Sequence, residues 1–96
     1  MSELQAIARY TITAGNEDEV HALLPRLAEA SRGEAGCLAF EAYRNLGDPR
    51  DVVLLERYES AESFAAHRET PHFQDLVLKR IVPLLDTRVV ETFEVP

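Results

Sequence analysis

Ninety-six residues, 46% of them hydrophobic and 28% charged, suit one domain with one modest core. Seventeen acids against ten scattered bases give a formal net charge of −7, which repels phosphate backbones and argues against a nucleic-acid partner. No apolar run approaches the roughly 20 residues that span a bilayer, and "MSELQAIARY" lacks a basic start followed by an apolar stretch. The expectation is a cytoplasmic protein with no signal peptide and no membrane partner.

In "LQAIARYTI", strict alternation puts Leu4, Ala6, Ala8, Tyr10 and Ile12 on one face and Ile7 on the other, which predicts a strand. "AGN" breaks it. Asn16 with Glu19 three residues on has the form of a capping box. Val20, Leu23, Leu24, Leu27 and Ala28 then recur at helical spacing over about four turns, with Pro25 inside as an expected kink. "GEAG" at 33–36 ends that helix. "CLAFEAYR" and "VVLLERYE" read as two strands of a hairpin joined by "NLGDPRD". Ser60 caps a short helix holding Ala61, Phe64 and Ala65. Thr70 and Pro71 start another, with proline at its first position and Phe73, Leu76, Val77 and Ile81 as its inner stripe. Pro83 closes it, and "TRVVETFEV" is the last strand, with Val89, Phe93 and Val95 on one face and Val90 on the other.

The order β-α-β-β-α-β, with a divided second helical region and short connections, predicts an α+β fold: a ferredoxin-like split βαβ with a four-stranded antiparallel sheet. The strands are apolar on both parities, Leu38 and Phe40 against Cys37 and Ala39, Val53 and Leu55 against Val52 and Leu54. So short a chain has no second layer to cover both faces, and the expected cover is a second copy, a homodimer packed sheet to sheet.

The glycines, at 15, 33, 36 and 47, separate elements and build no phosphate-binding loop, so no nucleotide cofactor is expected. Cys37, the sole cysteine, reads as a small buried residue without a visible base to activate it. His67 and His72 stand five apart across Pro71, whereas a helical metal pair needs a spacing of four; His21 has no spacing relation to either, and no metal site is expected. On a helical wheel His67 lies at the edge of the apolar face, with Arg68 nearer its centre, and His72 lies at the margin of the next helix's stripe. Each is either a helix-end residue or a proton-transfer group opening on a cavity between helices and sheet. Glu56 and Arg57 interrupt an apolar strand, so one of them faces the interior and needs a partner. For Glu56 the alternatives are an ion pair with Arg9, Arg44 or Arg88, or a catalytic carboxyl of raised pKa. Tyr10, Tyr43 and Tyr58 are each either cavity-lining or core residues.

"SRGEAGCLAFEAYRN" followed by "VVLLERYESAESFAAHRETPHFQ" resembles the antibiotic biosynthesis monooxygenase family of dimeric α+β barrel domains. The residues that carry the resemblance are Glu34, Gly36 and Cys37; Glu56 and Tyr58; Ala61, Phe64, Ala65 and His67; then Thr70, Pro71 and His72. It covers essentially all of residues 1–96 as one such domain. It implies an enzyme that oxidises small aromatic quinol, phenolic or anthrone-like substrates with dioxygen and no cofactor. His67, His72 and Glu56 would be its catalytic residues, His67 the first candidate base. Tyr58, Arg44, Phe64 and Phe73 would bind substrate, with Tyr58, Arg44 or His72 bonding the developing oxyanion. The family's haem-degrading branch relies on an Asn, a Trp and a His; this chain has no Trp and no Asn in its first strand, so the resemblance does not extend to haem. Two other functions use the same fold: an isomerase or lyase acting on a small oxygenated metabolite, and a non-catalytic ligand-binding or stress module.

Overall fold

The computed structural model describes residues 2–96. Four strands, β1 (Glu3–Ile12), β2 (Cys37–Arg44), β3 (Asp51–Tyr58) and β4 (Leu85–Val95), form one antiparallel sheet in the order β2-β3-β1-β4. Helices α1 (Glu17–Arg32), α2 (Ala61–Arg68) and α3 (Phe73–Ile81) cover one face, and a 3-10 turn at Val82–Leu84 leads into β4. This is the ferredoxin-like split βαβ that the element order predicts. Among the described residues no helix is long and apolar enough to cross a membrane.

The expected faces of β1 and α1 are the buried ones: Ala8, Tyr10 and Ile12 share a core with Val20, Leu23, Leu24, Leu27 and Ala28, while Leu4 and Ala6 pack with Tyr58. Pro25 does not interrupt α1. It sits on the solvent side, where water can take the carbonyl that its missing N–H leaves free. Asn16 occupies the cap position but its side chain makes no capping bond. The carboxylate used there is Glu17, which accepts from the Gly15 N–H at 2.6 Å; Gly15 is at φ +100°, a conformation glycine adopts without strain. The capping box expected from Asn16 and Glu19 is therefore not the device that starts this helix.

Parity fails in β2. The register against β3 shifts between Cys37 and Ala39, so Cys37 opposes Tyr58 while Phe40 opposes Glu56. One extra residue puts Cys37 and Phe40 on the helix-covered face together, and Leu38, expected beside Phe40, is 47% exposed. β4, an edge strand, starts earlier than expected, at Leu85, and Val89, Val90 and Phe93 remain well exposed. In α3 the turns widen, the Val82 N–H reaching back five residues to Val77.

The helix-covered face has a thin centre. Ala6 pairs with Glu56 on one side and Thr92 on the other, and Ala8 with Leu54 and Val90. Methyl groups at the middle of the central strand cannot fill the space below α2 and α3. That geometry positions the site.

Candidate active site

Four pieces of chain converge below α2. The first is the turn after α1, where the Glu34 N–H bonds Ser31 and the Cys37 N–H bonds the Glu34 carbonyl at 3.2 Å. This compact turn projects the Glu34 side chain toward α2. Gly36 lets it come close: a Cβ at that position would overlap the Ser63 side chain of α2. The Gly36 carbonyl also accepts from the Glu59 N–H at 2.9 Å, tying the turn to the end of β3.

The second piece is α2. Ser60 caps it, accepting from the Ser63 N–H at 3.2 Å as expected. Its only buried residue is His67, 2% exposed, not the edge residue of the helical wheel; Arg68, expected nearer the centre, is exposed. A helix of eight residues has few apolar groups to define a face, so the wheel placed the stripe one position off. Thr70 then ends the helix, its hydroxyl donating to the His67 carbonyl at 2.7 Å and accepting from the Phe73 N–H at 3.2 Å. Pro71 begins the third piece, and His72 lies in its first turn. β3 is the fourth, with Glu56 and Tyr58 facing the helices.

Glu34 joins the two histidines. One oxygen, Oε2, lies 2.7 Å from His67 Nδ1 and 2.5 Å from His72 Nε2. An ionised carboxylate only accepts, so both ring nitrogens donate. His67 in its neutral form then carries its lone pair on Nε2, the nitrogen facing Glu56 Oε1 at 3.9 Å. Burial holds the His67 pKa below its ordinary value, with the Glu34 bond opposing. The ring is enclosed by Tyr58 and Phe73, at 5.3 and 5.2 Å between centroids, and by Phe40 and Phe64. The arrangement is that of a base oriented by a carboxylate, which fixes the tautomer and stabilises the imidazolium that forms on protonation.

Glu56 is buried at 5% exposure, and desolvation raises its pKa to about 7. Among the described residues no arginine lies within 4.0 Å of its carboxyl. Arg9 bridges to Glu91 at 3.6 Å, Arg57 to Glu3 at 2.7 Å, and Arg88 lowers the Glu56 pKa only from a distance. The expected ion pair is replaced by the Tyr58 hydroxyl, which donates to Glu56 Oε1 at 2.6 Å. Burial first, and then the Glu56 charge, push the Tyr58 pKa far up, so the phenol keeps its proton. A carboxyl of pKa about 7 therefore stands beside a neutral imidazole, so one can give a proton and the other accept one near neutral pH.

These groups open on a cavity of about 310 Å³ lined by Ala8, Phe40, Leu54, Glu56, Phe64 and His67, with Tyr10, Phe73, Arg88 and Thr92 completing it. Of the residues singled out in the sequence as site candidates, His67, Glu56, Phe64, Phe73 and Tyr10 line it. Tyr58 lies beneath Glu56, and His72 stands behind His67 on the solvent side. Arg44 does not join them: it is exposed at the far end of β2, beside a groove shared with His21 and Arg32 of α1. Sequence spacing missed Glu34 as a site residue, because it lies 33 and 38 positions from the histidines it binds. The unusual turn "GEAG" is the signal that could have found it. Phe40 was missed because its facing depends on the register shift in β2. Glu34, His67 and His72 place three donor atoms within 4.8 Å of one another and are the residues that could hold a metal ion, a convergence that the spacing of the histidines does not reveal.

A family model described as Antibiotic biosynthesis monooxygenase matches residues 4–78. The chain is 32% identical over 72 residues to Rv0793, a candidate monooxygenase of Mycobacterium tuberculosis, over 75% of this chain and 70% of that one. It is 32% identical over 53 residues to YcnE, a candidate monooxygenase of Bacillus subtilis, over 55% of this chain and 56% of that one. The solved structure of Rv0793 superposes with a TM-score of 0.89 at 27% identity, covering 99% of this chain and 95% of that one. A crystal structure of an antibiotic biosynthesis monooxygenase gives 0.90 at 28% identity, over 97% and 98%. A Pseudomonas aeruginosa protein gives 0.92 at 23% identity, over 100% and 96%, a likeness of fold alone. The chain belongs to the antibiotic biosynthesis monooxygenase family.

Proposed function

We propose that the cavity oxidises a small aromatic diphenol with dioxygen, with His67 as the base and no bound cofactor. The observation that carries this reading is the Glu34–His67 pair, whose Nε2 lone pair faces Glu56 across the cavity. A substrate hydroxyl seated there loses its proton to His67. The electron-rich phenolate gives an electron to dioxygen, the two radicals join in a carbon–oxygen bond, and the peroxide breaks down. One oxygen atom ends as a new carbonyl and the other as water, with every electron supplied by the substrate. Glu56, protonated about half the time near pH 7, is placed to donate a proton to the departing hydroxide. The protein's part is desolvation by Phe40, Phe64 and Phe73, orientation, and proton transfer. His72, partly exposed and bonded to Glu34, completes the link from the base to solvent. The size of the cavity, at the small end of the roughly 300–1,000 Å³ usual for ligand sites, favours a substrate of one or two rings.

The working form in this reading is a homodimer. The helix-free face exposes Tyr43 (50%), Val89 (52%) and Phe93 (47%) around Ile7, Val53 and Leu55, and a second copy is the occupant that would cover them. Twice the chain mass at micromolar concentration is expected, and a stable monomer refutes it.

Dioxygen uptake by metal-free protein with a panel of hydroquinones and anthrones, beside His67→Ala, tests the chemistry. Uptake that requires substrate and collapses in the variant is the expected result. A paired acid and base also suits an isomerase, as Glu56 and His67 together could move a proton between two atoms of one substrate. Turnover that persists without oxygen would select that reading, and ligand binding without turnover in either atmosphere would select a binding module.

A further inference from the structure

We propose that the substrate carries an anionic substituent, a carboxylate or a phosphate, and that Arg68 and Arg88 bind it at the mouth of the cavity. This rests on the reading of that cavity as the substrate site. The two guanidinium groups come from different elements, the end of α2 and the start of β4, and both line the cavity that holds His67 and Glu56. Both also line the outer groove that adjoins it, with Ala65, Glu69, Phe73, Gln74 and Leu78. They therefore mark the passage between solvent and the reacting groups.

Neither has a carboxylate within 4.0 Å among the described residues, whereas Arg9, Arg50 and Arg57 each do. Arg26, Arg32, Arg44 and Arg80 likewise lack such a partner, but Arg68 and Arg88 are the two arginines that line the cavity, so theirs are the charges free to act at its opening. Each is instead laid against an aromatic ring of the cavity wall, Arg68 at 5.9 Å from the Phe64 centroid and Arg88 at 6.0 Å from the Phe73 centroid. A guanidinium over a ring face is held there while its N–H groups can still bind, and those of Arg88 also face the Tyr10 hydroxyl. A planar fork of this kind matches the two oxygens of a carboxylate or phosphate. The acids nearby are Glu69 in the outer groove and Glu56 at the inner end. The mouth is thus cationic while the far end is a proton-transfer pair, so an acidic diphenol is oriented with its charge outward and its hydroxyl inward.

Calorimetry under nitrogen, on the intact chain and its Arg68→Gln, Arg88→Gln and Arg88→Lys variants, tests this with gentisate, methyl gentisate and hydroquinone monophosphate. At least one of the two anions is expected to bind roughly tenfold or more tightly than the neutral ester, as a charge-assisted pair provides. Which of them does so tells the carboxylate from the phosphate. Each Gln variant is expected to lose most of that preference while binding the ester within about twofold, Arg88→Lys to keep part of it, and added salt to narrow it. Equal affinity for anions and ester, no binding of any of the three, or a Gln variant that keeps the full preference overturns the proposal. Because binding is read without oxygen, a failed oxygenase reading leaves this result standing, and equal affinities leave the oxygenase reading standing.

Discussion

Adjacent residues of β3 show what the two faces of the sheet do. Glu56 points under the helices and Arg57 away from them. Arg57 reaches Glu3 on the neighbouring β1 with three bonds of 2.7 to 3.0 Å and stays half exposed. Water solvates that pair, so its charges cost little and contribute little. Glu56 has no cation and little water; its charge is suppressed, its pKa rises to about 7, and it bonds a phenol in place of a guanidinium. One face leaves its charged pair in water and the other suppresses the charge of its carboxyl, and the difference is desolvation.

The largest effect should come from the base. His67→Ala is expected to lower turnover roughly 10²–10⁴-fold, the usual contribution of a positioned proton acceptor. Glu34→Gln should cost less, because the amide can still accept from Nδ1 but no longer stabilises the imidazolium. Steady-state rates across pH separate the two roles: in wild type the rate should fall on the acid side as His67 takes up a proton. An unchanged rate in His67→Ala would remove His67 from the chemistry. Arg57→Ala, on the other face, should leave the rate alone.

Next in size is the pH dependence of stability that Glu56 imposes. Its carboxyl rises from 4.5 to about 7 on folding, so between those values the native protein holds a proton that the unfolded chain has released. Stability from this group is fully present below about pH 4.5 and is lost as pH rises toward 7, by about 3 kcal/mol in all. Glu56→Gln, which is never charged, should abolish that component. His67, lowered by burial, acts in the opposite direction, losing stability as pH falls below its ordinary range. The difference between wild type and Glu56→Gln in urea denaturation at pH 4.5 and pH 7.5 isolates the carboxyl. Parallel curves would mean that Glu56 is solvated.

Gly36 tests how the covered face is assembled. Alanine there would press on Ser63, with an expected cost of about 1–3 kcal/mol for overpacking. It should also displace Glu34 from His67, so turnover falls along with stability. Ser63→Gly in the same chain should restore turnover more fully than stability, since glycine within α2 carries its own cost of about 1 kcal/mol. A Gly36→Ala protein with wild-type melting and turnover would show that the turn has room to move.

How much of this was legible differs by region in the same way. Periodicity is local, and it found the buried face of β1, the stripes of α1 and α3, the Ser60 cap and the Thr70–Pro71 start. The bulge at Cys37–Ala39 was not legible, because one residue of slip leaves composition unchanged while turning Leu38 outward. Nor was the site as a constellation. His67 and Glu56 were visible as anomalies in apolar surroundings, but Glu34 binds across more than thirty residues, and the partner of Glu56 proved to be Tyr58, two positions along its own strand. An arginine was expected because a buried carboxylate needs a cation. A carboxyl that takes up a proton does not.

The smallest effect belongs to the bare face and completes the contrast with Glu56. Arg57 and Glu3 make the best-formed ion pair there, with 2.7 Å contacts from one guanidinium nitrogen to both carboxylate oxygens. Yet the Arg57 side chain is 49% exposed and the Glu3 side chain 27%. Ordering two long side chains offsets much of the attraction, and salt screens what remains. Arg57→Ala should therefore cost under about 1 kcal/mol in a dilute monomeric sample, and raising the salt should shrink the difference further. The same substitution measured where the chain self-associates is the sharper case. If a second copy covers this face, the pair is desolvated in the assembly, and the loss should grow with protein concentration. A cost that is the same at nanomolar and micromolar chain would leave the pair facing water and this face uncovered.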